Sequence, residues 1–145
     1  MDQVSEALPA PLLTPLKQIF HPKGDVYHAL KASDAGYAGF GEAYFTTVIE
    51  GETKGWKKHL RMQMNLVVPV GQVCFYVHDE NTGMTTPYLL GTGNYARLTV
   101  PPGYWMAFRG MSAGTNLVCN LASIAHDPLE AMNVALETYP FEIPA

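Results

Sequence analysis

The residues best suited to chemistry lie on one short stretch from Trp56 to Val68, with the sequence Trp-Lys-Lys-His-Leu-Arg-Met-Gln-Met-Asn-Leu-Val-Val. Apart from Lys58, polar and apolar side chains alternate along it, which is the period of a β-strand with two unlike faces. An ordinary half-buried strand shows the same alternation. Here, however, the polar row holds an imidazole between two cations, then two amides, and no acid, which is typical of the wall of a cavity for an anionic or oxygen-rich ligand. That row consists of Lys57, His59, Arg61, Gln63 and Asn65.

The composition limits what can position this stretch. The chain has 145 residues, 48% of them hydrophobic and 15% charged, with 13 Gly and 11 Pro, which indicates one compact domain with many turns. A net charge of −4 and the absence of any long basic run argue against nucleic acid or an anionic membrane as a partner. No signal-like leader or apolar run of eighteen residues is present, so we expect a cytoplasmic protein in which Cys74 and Cys119 are reduced core residues.

Short strand candidates recur about every ten residues, separated by Gly- and Pro-containing turns. This spacing is typical of an antiparallel sandwich or barrel. The candidates are residues 16–20, 26–31, 42–49, 56–68, 73–77, 88–90, 96–100, 104–109 and 116–122.

The two ends of the chain differ from this pattern. Residues 1–15 contain three prolines and are predicted to form an extended arm before a single domain at 16–145. Asp127 and Pro128 are a favourable cap and first turn for one short C-terminal helix over residues 129–136. The apolar segment 139–144 is expected to pack on the barrel or on a partner, and together with the arm it predicts a homodimer.

Two motifs give the chain a resemblance to a known family. Gly55-Trp56-Lys57-Lys58-His59, followed by a strand and Gly71, is similar to the Gly-x-His-x-His run of the dTDP-sugar 3,4-ketoisomerases, with Lys57 at the first histidine position and His59 at the second. The segment from Val100 to Phe108 is similar to the Ile-Pro-x-Gly-Phe-Ala-His-Gly-Phe run of the dTDP-4-dehydrorhamnose 3,5-epimerases. Over about residues 20–126 the chain therefore resembles the sugar-nucleotide cupins.

The resemblance implies an all-β jelly-roll barrel and an isomerase that acts on a nucleotide-linked 4-keto-6-deoxy sugar in deoxysugar or surface-polysaccharide biosynthesis, without cofactor or metal. His59 is then the base, because neutral imidazole is available near pH 7. Lys57 adds positive charge, and Tyr44 lies where the family has an aromatic strand that faces the site. The substrate that the resemblance implies would need binding groups of three kinds. Amides Gln63, Asn65, Asn116 and Asn120 would contact sugar hydroxyls; Arg61, Arg97 and Arg109 would contact the diphosphate, and Trp105 would stack on the base or sugar.

Departures from the family pattern leave three alternatives open. The segment 116–122 lacks the tyrosine that the epimerases use as an acid, and Glu142 is the carboxylate available near the C-terminus to pair with the histidine. A single epimerisation or a ketoisomerisation with Tyr44 as the acid therefore fits better than a double epimerisation. A barrel that binds a sugar or small metabolite without catalysis is the first rival. A metal-dependent cupin is the second, although His59 has no histidine two residues away.

Overall fold

Almost all regular structure in the protein is β-strand. The computed structural model describes residues 8–144, and in this part of the chain two single-turn 3-10 helices, Pro128–Glu130 and Leu136–Thr138, flank the last strand. The strands are β1 Leu12–Pro15, β2 Gln18–Ile19, β3 Val26–Tyr27, β4 Glu42–Thr47, β5 Thr53–His59, β6 Met64–Val70, β7 Gln72–Asp79, β8 Met84–Gly91, β9 Ala96–Val100, β10 Trp105–Gly110, β11 Leu117–Ala122 and β12 Ala131–Asn133.

Two five-stranded antiparallel sheets face each other and enclose the core. The first sheet has the strand order β1-β9-β6-β11-β4, and the second has the order β12-β5-β10-β7-β8. Buried apolar side chains from both sheets fill the space between them, as expected when each strand contributes alternate residues to the interior. The predicted all-β jelly-roll architecture is confirmed. Core members include Met64, Leu66, Val68, Val73, Phe75, Val77, Leu98, Val100, Met106 and Val118.

The stretch 56–68 is not one strand, and this part of the sequence interpretation is wrong. β5 ends at His59 in the second sheet and β6 begins at Met64 in the first sheet. Between them the chain crosses from one sheet to the other, and Leu60, which the alternation assigns to a buried face, is 50% exposed. The crossing also changes which residues face the interior. The odd-numbered His59 faces inward from β5, whereas the even-numbered Met64 faces inward from β6.

A second apolar cluster covers the outer face of the second sheet. Trp56 is fully buried there, and its indole Nε1 donates a hydrogen bond of 2.9 Å to the carbonyl of Leu136. The C-terminal segment therefore packs on its own barrel, as one of the two predicted arrangements requires. The cluster consists of Trp56, Cys74, Tyr76, Trp105 and Ala107, with Met111, Val134, Leu136, Tyr139 and Phe141 packed against it.

The predicted C-terminal helix over 129–136 does not form. Asp127 does act as a cap, because its carboxylate accepts a hydrogen bond of 3.0 Å from the Leu129 amide, but the helical turn ends at Glu130. The chain then extends as β12, which pairs antiparallel with β5. Edge pairing and burial of the Glu130 side chain outweigh the helix propensity of this segment, since tertiary contacts override a weak local preference.

The N-terminal region joins the same barrel. Within the predicted arm, β1 forms the edge of the first sheet by pairing with β9, and residues 1–7 lie outside the described part of the chain. Across residues 8–144, no helix has the length and apolar character needed to cross a membrane.

Candidate active site

A buried hydrogen-bonded pair joins β5 to the C-terminal segment. His59 is 5% exposed and Glu130 is 3% exposed, and Nδ1 of the imidazole forms a hydrogen bond with Oε1 of the carboxylate. β12 enforces this contact, because Ala131 stands opposite His59 in the strand pairing and holds the preceding residue against the imidazole. In the neutral imidazole, Nδ1–H donates this hydrogen bond to the carboxylate, so Nε2 carries no proton and can accept one.

Three backbone amides fix the other oxygen of this carboxylate. Oε2 of Glu130 accepts hydrogen bonds from the amides of Leu60, Arg61 and Met62 at 3.2, 3.1 and 3.2 Å. Burial alone raises the pKa of the Glu130 carboxyl, but the hydrogen bonds from His59 and from these amides outweigh burial, so its pKa lies below the ordinary value. The carboxylate is therefore ionised at neutral pH. Its Oε2 takes the place of a strand partner for the backbone amides between β5 and β6.

The histidine faces a cavity of about 290 Å³ between the two sheets. β4 closes one side of it and β5 with β12 closes the other, while core side chains form its floor. Such a cavity, apolar at its base with a few converging polar groups, has the character of a small-molecule site. Its polar lining consists of Tyr44, Thr46, Lys54, Lys57, His59, Asn120 and Asn133, and its apolar lining includes Met64, Leu66, Phe75, Met106, Phe108 and Val118.

A tyrosine and an amide meet on the wall that the first sheet forms. β4 and β11 are antiparallel neighbours in which Tyr44 stands directly opposite Asn120. The side-chain Nδ2 of Asn120 donates a hydrogen bond of 2.9 Å to the phenolic oxygen of Tyr44. The cavity thus combines an imidazole on one sheet with a phenol on the other.

Two ammonium groups give the cavity positive charge. Lys57 lies two residues before His59 on the same face of β5 and is exposed at the cavity wall. Lys54 is held by a hydrogen bond of 2.7 Å from its Nζ to the carbonyl of Thr47 on β4. Asn133, opposite Lys57 in the strand pairing, completes this part of the wall. A pair of cations with an adjacent amide favours an anionic or oxygen-rich ligand.

The remaining members of the predicted polar row lie elsewhere because the chain changes sheets. The Arg61 side chain is exposed and forms an ion pair of 3.1 Å with Asp127. Gln63 and Asn65 point to the outer face of the first sheet, where both side-chain amides donate to the carbonyl of Gly36, at 2.6 and 3.0 Å. These three side chains do not line the cavity.

Four other predicted site residues also lie outside the cavity. Arg97 is fully buried and donates to the carbonyls of Ala29 and Ala35 and to the carboxylate of Asp34. Trp105 is in the outer aromatic cluster, with Nζ of Lys58 5.1 Å from its ring centroid. The other two residues bond within the fold. Asn116 donates to the carbonyls of Val48 and Ser112 and accepts from the Gln72 amide, and Arg109 donates to the hydroxyl of Thr53.

Four polar residues at the site were not identified from the sequence, namely Glu130, Thr46, Lys54 and Asn133. The sequence predicts a helix at Glu130, and Glu142, the carboxylate that it offers as the partner of the histidine, is exposed. Lys54 and Asn133 carry no pattern that separates them from surface residues. The available signal for Glu130 was chemical: a carboxylate near the C-terminus was required, and Asp127-Pro128-Leu129-Glu130 supplied one beside a turn.

The other histidines do not gather at this site. His78 stacks on Tyr139 with ring centroids 3.8 Å apart, and its Nδ1 lies 2.8 Å from the hydroxyl of Thr85. His126 is exposed. Within residues 8–144, no group of three or more His, Cys, Asp or Glu side chains could hold a metal ion.

Solved structures of sugar-nucleotide enzymes share this fold. The dTDP-sugar isomerase of Desulfovibrio desulfuricans G20 is 30% identical, with a TM-score of 0.87 over 92% of this chain and 90% of that one. A 3,4-ketoisomerase of Thermoanaerobacterium thermosaccharolyticum, solved as a mutant with TDP-4-keto-6-deoxyglucose, is 19% identical, with a TM-score of 0.73 over 86% and 88% of the two chains. The dTDP-4-dehydrorhamnose 3,5-epimerase of Sulfolobus tokodaii is 14% identical, with a TM-score of 0.78 over 92% and 81%.

The first of these likenesses extends to sequence, whereas the other two are likenesses of fold. No family model matches the chain. No curated protein matches it either.

Proposed function

This chain belongs to the dTDP-sugar isomerase family of cupin-type sugar-nucleotide enzymes, and from that premise we propose that it epimerises or ketoisomerises a nucleotide-linked 4-keto-6-deoxy sugar by proton transfer through His59. The observation that carries the proposal is the His59–Glu130 pair at the wall of the cavity. A buried carboxylate that orients an imidazole is the arrangement of a general base.

The carbonyl at C4 of such a sugar acidifies the neighbouring C–H bonds. Nε2 of His59 takes the proton, the C–H electron pair becomes a carbon–carbon double bond, and the carbonyl oxygen carries the enolate charge. In an epimerisation the proton returns to the same carbon from the other face. In a ketoisomerisation a proton is added at C4, and the proton of the C3 hydroxyl passes to the enolate oxygen at C4, so that C3 becomes the carbonyl carbon and C4 carries the hydroxyl. In both cases Tyr44 supplies the returning proton from the opposite wall.

The two lysines supply positive charge that complements the negative enolate and diphosphate of the substrate. Lys57 lies about 7 Å along the strand from His59, by the rise of two residues, and its side chain lines the same cavity. It is therefore placed to stabilise the enolate. Lys54, anchored to the carbonyl of Thr47, adds a second positive charge to the wall and favours the diphosphate of a nucleotide sugar.

Conversion of dTDP-4-keto-6-deoxyglucose in heavy water, followed by NMR, tests this function. Ketoisomerisation moves the carbonyl to C3 and places deuterium at C4. Epimerisation keeps the carbonyl at C4 and places deuterium at C3 or C5. The position of the label therefore identifies both the reaction and the carbon that loses its proton.

The control is the same incubation without enzyme, because 4-keto sugars exchange slowly by themselves. Saturation-transfer NMR with the same nucleotide sugar separates the rivals. Binding without deuterium uptake would support a non-catalytic sugar-binding barrel. If the protein neither binds this nucleotide sugar nor catalyses deuterium uptake, the proposed ligand class is contradicted.

We further propose that the protein acts as a cytoplasmic homodimer in deoxysugar or surface-polysaccharide biosynthesis. The two buried, unbonded cysteines support a reducing compartment. Large apolar side chains on and beside the edge strand β4 support self-association, because Phe40, Phe45 and Ile49 are 65%, 67% and 74% exposed. Sedimentation at micromolar concentration is expected to give twice the monomer mass, and a clean monomer would contradict the dimer.

A further inference from the structure

The side-chain amide of Asn120 is held in a single orientation. It is 2% exposed, and its Oδ1 accepts a hydrogen bond of 3.2 Å from the backbone amide of Asn65. Its Nδ2 lies 3.8 Å from the sulfur of Met62, a weak acceptor. A flipped amide would set its NH₂ group against the N–H of Asn65, so only the oxygen can face that donor.

This orientation determines the role of the Tyr44 hydroxyl. Nδ2 of Asn120 is the donor in the 2.9 Å hydrogen bond to the phenolic oxygen, so that oxygen is the acceptor. Asn120 is the partner of this hydroxyl among residues 8–144. The phenolic proton is therefore not used in the contact, and Tyr44 lines the cavity where a ligand would receive it.

We propose that Asn120 is a positioning residue that keeps Tyr44 a proton donor to the substrate, an inference that rests on the proposed proton-transfer function. After Tyr44 gives up its proton, the N–H of Asn120 remains directed at the oxygen that has become negative. A hydrogen bond to an ionised oxygen is about twice as strong as one between neutral groups. Asn120 thus stabilises Tyr44 as it ionises, without itself contacting the reacting carbon.

Asn120→Asp tests this with little change of shape. One carboxylate oxygen still accepts from Asn65, but the other replaces the N–H donor that faces Tyr44. When ionised, the new carboxylate accepts the phenolic proton and withdraws it from the substrate; when protonated, it donates as the amide did. We expect kcat to fall about 10- to 100-fold at pH 8 with KM changed less than about threefold. The deficit should shrink as the pH is lowered.

A double-mutant cycle separates this role from a structural one. Tyr44→Phe is expected to lower kcat by about 10²–10⁴-fold. If Asn120 acts through Tyr44, adding Asn120→Asp to Tyr44→Phe lowers kcat no more than about threefold further. Asn133→Asp is the matched control, since it introduces the same carboxylate on the cavity wall away from Tyr44. Its effect should multiply with that of Tyr44→Phe.

Asn120→Ala keeps the test available if a buried carboxylate prevents folding. It removes the donor without adding charge, so its cycle with Tyr44→Phe should again be non-multiplicative, while its deficit is the same at every pH. Multiplicative effects of both Asn120 variants, in enzyme whose wild type turns over, would overturn the role of Asn120 and leave the proposed function intact. A wild type that shows no deuterium uptake would instead overturn the function.

Discussion

Two groups of buried polar side chains, one around Gln63 and Asn65 and one around His59, lie close together in the sequence. They differ in how many of their hydrogen-bonding atoms have a partner within the protein. On the outer face of the first sheet, Gln63 and Asn65 donate to the carbonyl of Gly36, and Thr99 donates to Oδ1 of Asn65 at 2.6 Å. At the cavity, which His59 lines, the His59–Glu130 contact uses Nδ1 and leaves Nε2 without a partner among the described residues.

The difference shows what distinguishes a functional polar cluster from a structural one. A buried network whose donors and acceptors are matched within the protein stabilises the fold. A functional site instead leaves some hydrogen-bonding groups without a protein partner, here an imidazole nitrogen on one sheet and a phenolic proton on the other. The side-chain types alone do not separate the two groups, because side-chain amides also line the cavity, at Asn120 and Asn133.

Among substitutions that keep the shape of the side chain, Glu130→Gln is expected to have the largest effect, because it reverses the hydrogen bond that orients His59. The three backbone amides require an oxygen, so the new NH₂ group faces Nδ1 of His59 and forces the ring proton onto Nε2. The base is then lost, and we expect turnover to fall about 10³–10⁴-fold. Glu142→Gln makes the same chemical change at an exposed carboxylate. Steady-state rates should separate the two variants, and equal rates would contradict the role of Glu130.

Substitution of two arginines, Arg97 and Arg61, compares a buried ion pair with an exposed one. Arg97→Met removes a fully buried guanidinium, leaves the carbonyls of Ala29 and Ala35 without this donor and takes the cation away from the Asp34 carboxylate, which should cost about 3 kcal/mol of unfolding free energy. Arg61→Met removes an ion pair whose side chains are 60% and 41% exposed and should cost less than about 1 kcal/mol. Urea denaturation measures both.

Activity gives the other half of this comparison. Turnover per folded molecule should be unchanged in Arg97→Met, since this side chain does not line the cavity. A raised KM in that variant, with its fold intact, would indicate that Arg97 contacts the substrate.

Acid should weaken the contact between His59 and Glu130, because the Glu130 carboxylate titrates, whereas the side-chain amides of Gln63 and Asn65 do not. Because the pKa of Glu130 is lower in the folded protein than in the unfolded chain, its contribution to stability is present above its ordinary pKa. That contribution is lost as the pH falls through the lowered folded value. Glu130→Gln should flatten this part of the stability curve, as followed by thermal melting at a series of acidic pH values. An unchanged slope would argue that other carboxyl groups cause it.

The smallest effect is expected at His78, beneath the C-terminal segment. Burial lowers its pKa, although Asp79 and Glu80 oppose the shift. A histidine whose folded pKa is lowered destabilises the fold as the pH falls below its ordinary value, because the unfolded chain binds the proton more readily. His78→Gln should remove a small decrease in melting temperature between about pH 7 and pH 5. His126→Gln, at an exposed histidine, should retain it.

The sequence predicted the architecture well because short strands and turn residues are local signals. The hairpin turn after β7 illustrates this: the amide of Gly83 bonds to the carbonyl of Asp79, and its φ of +76° suits glycine. The sequence also pointed to side chains that share the cavity from three strands, namely His59, Lys57, Tyr44 and Asn120.

The rest depended on contacts between distant segments. The alternation from Trp56 to Leu66 continues through the crossing between sheets, so a period of two did not reveal that the inward parity had changed. Glu130 lies 71 residues from His59, in a segment with good helix formers, and only strand pairing shows that it faces the histidine. Long-range pairing of this kind leaves no periodic trace in a single sequence.

The most direct test of the central role of His59 is chemical rescue of C–H exchange. His59→Ala leaves space beside Glu130 at the cavity wall, and deuterium uptake from heavy water into dTDP-4-keto-6-deoxyglucose can be followed by NMR with and without added imidazole. We expect no uptake above the enzyme-free rate in the variant and a partial recovery with imidazole, which should have no effect on the wild type. Uptake at the wild-type rate without imidazole would contradict the account, because the proton would then be removed by another group.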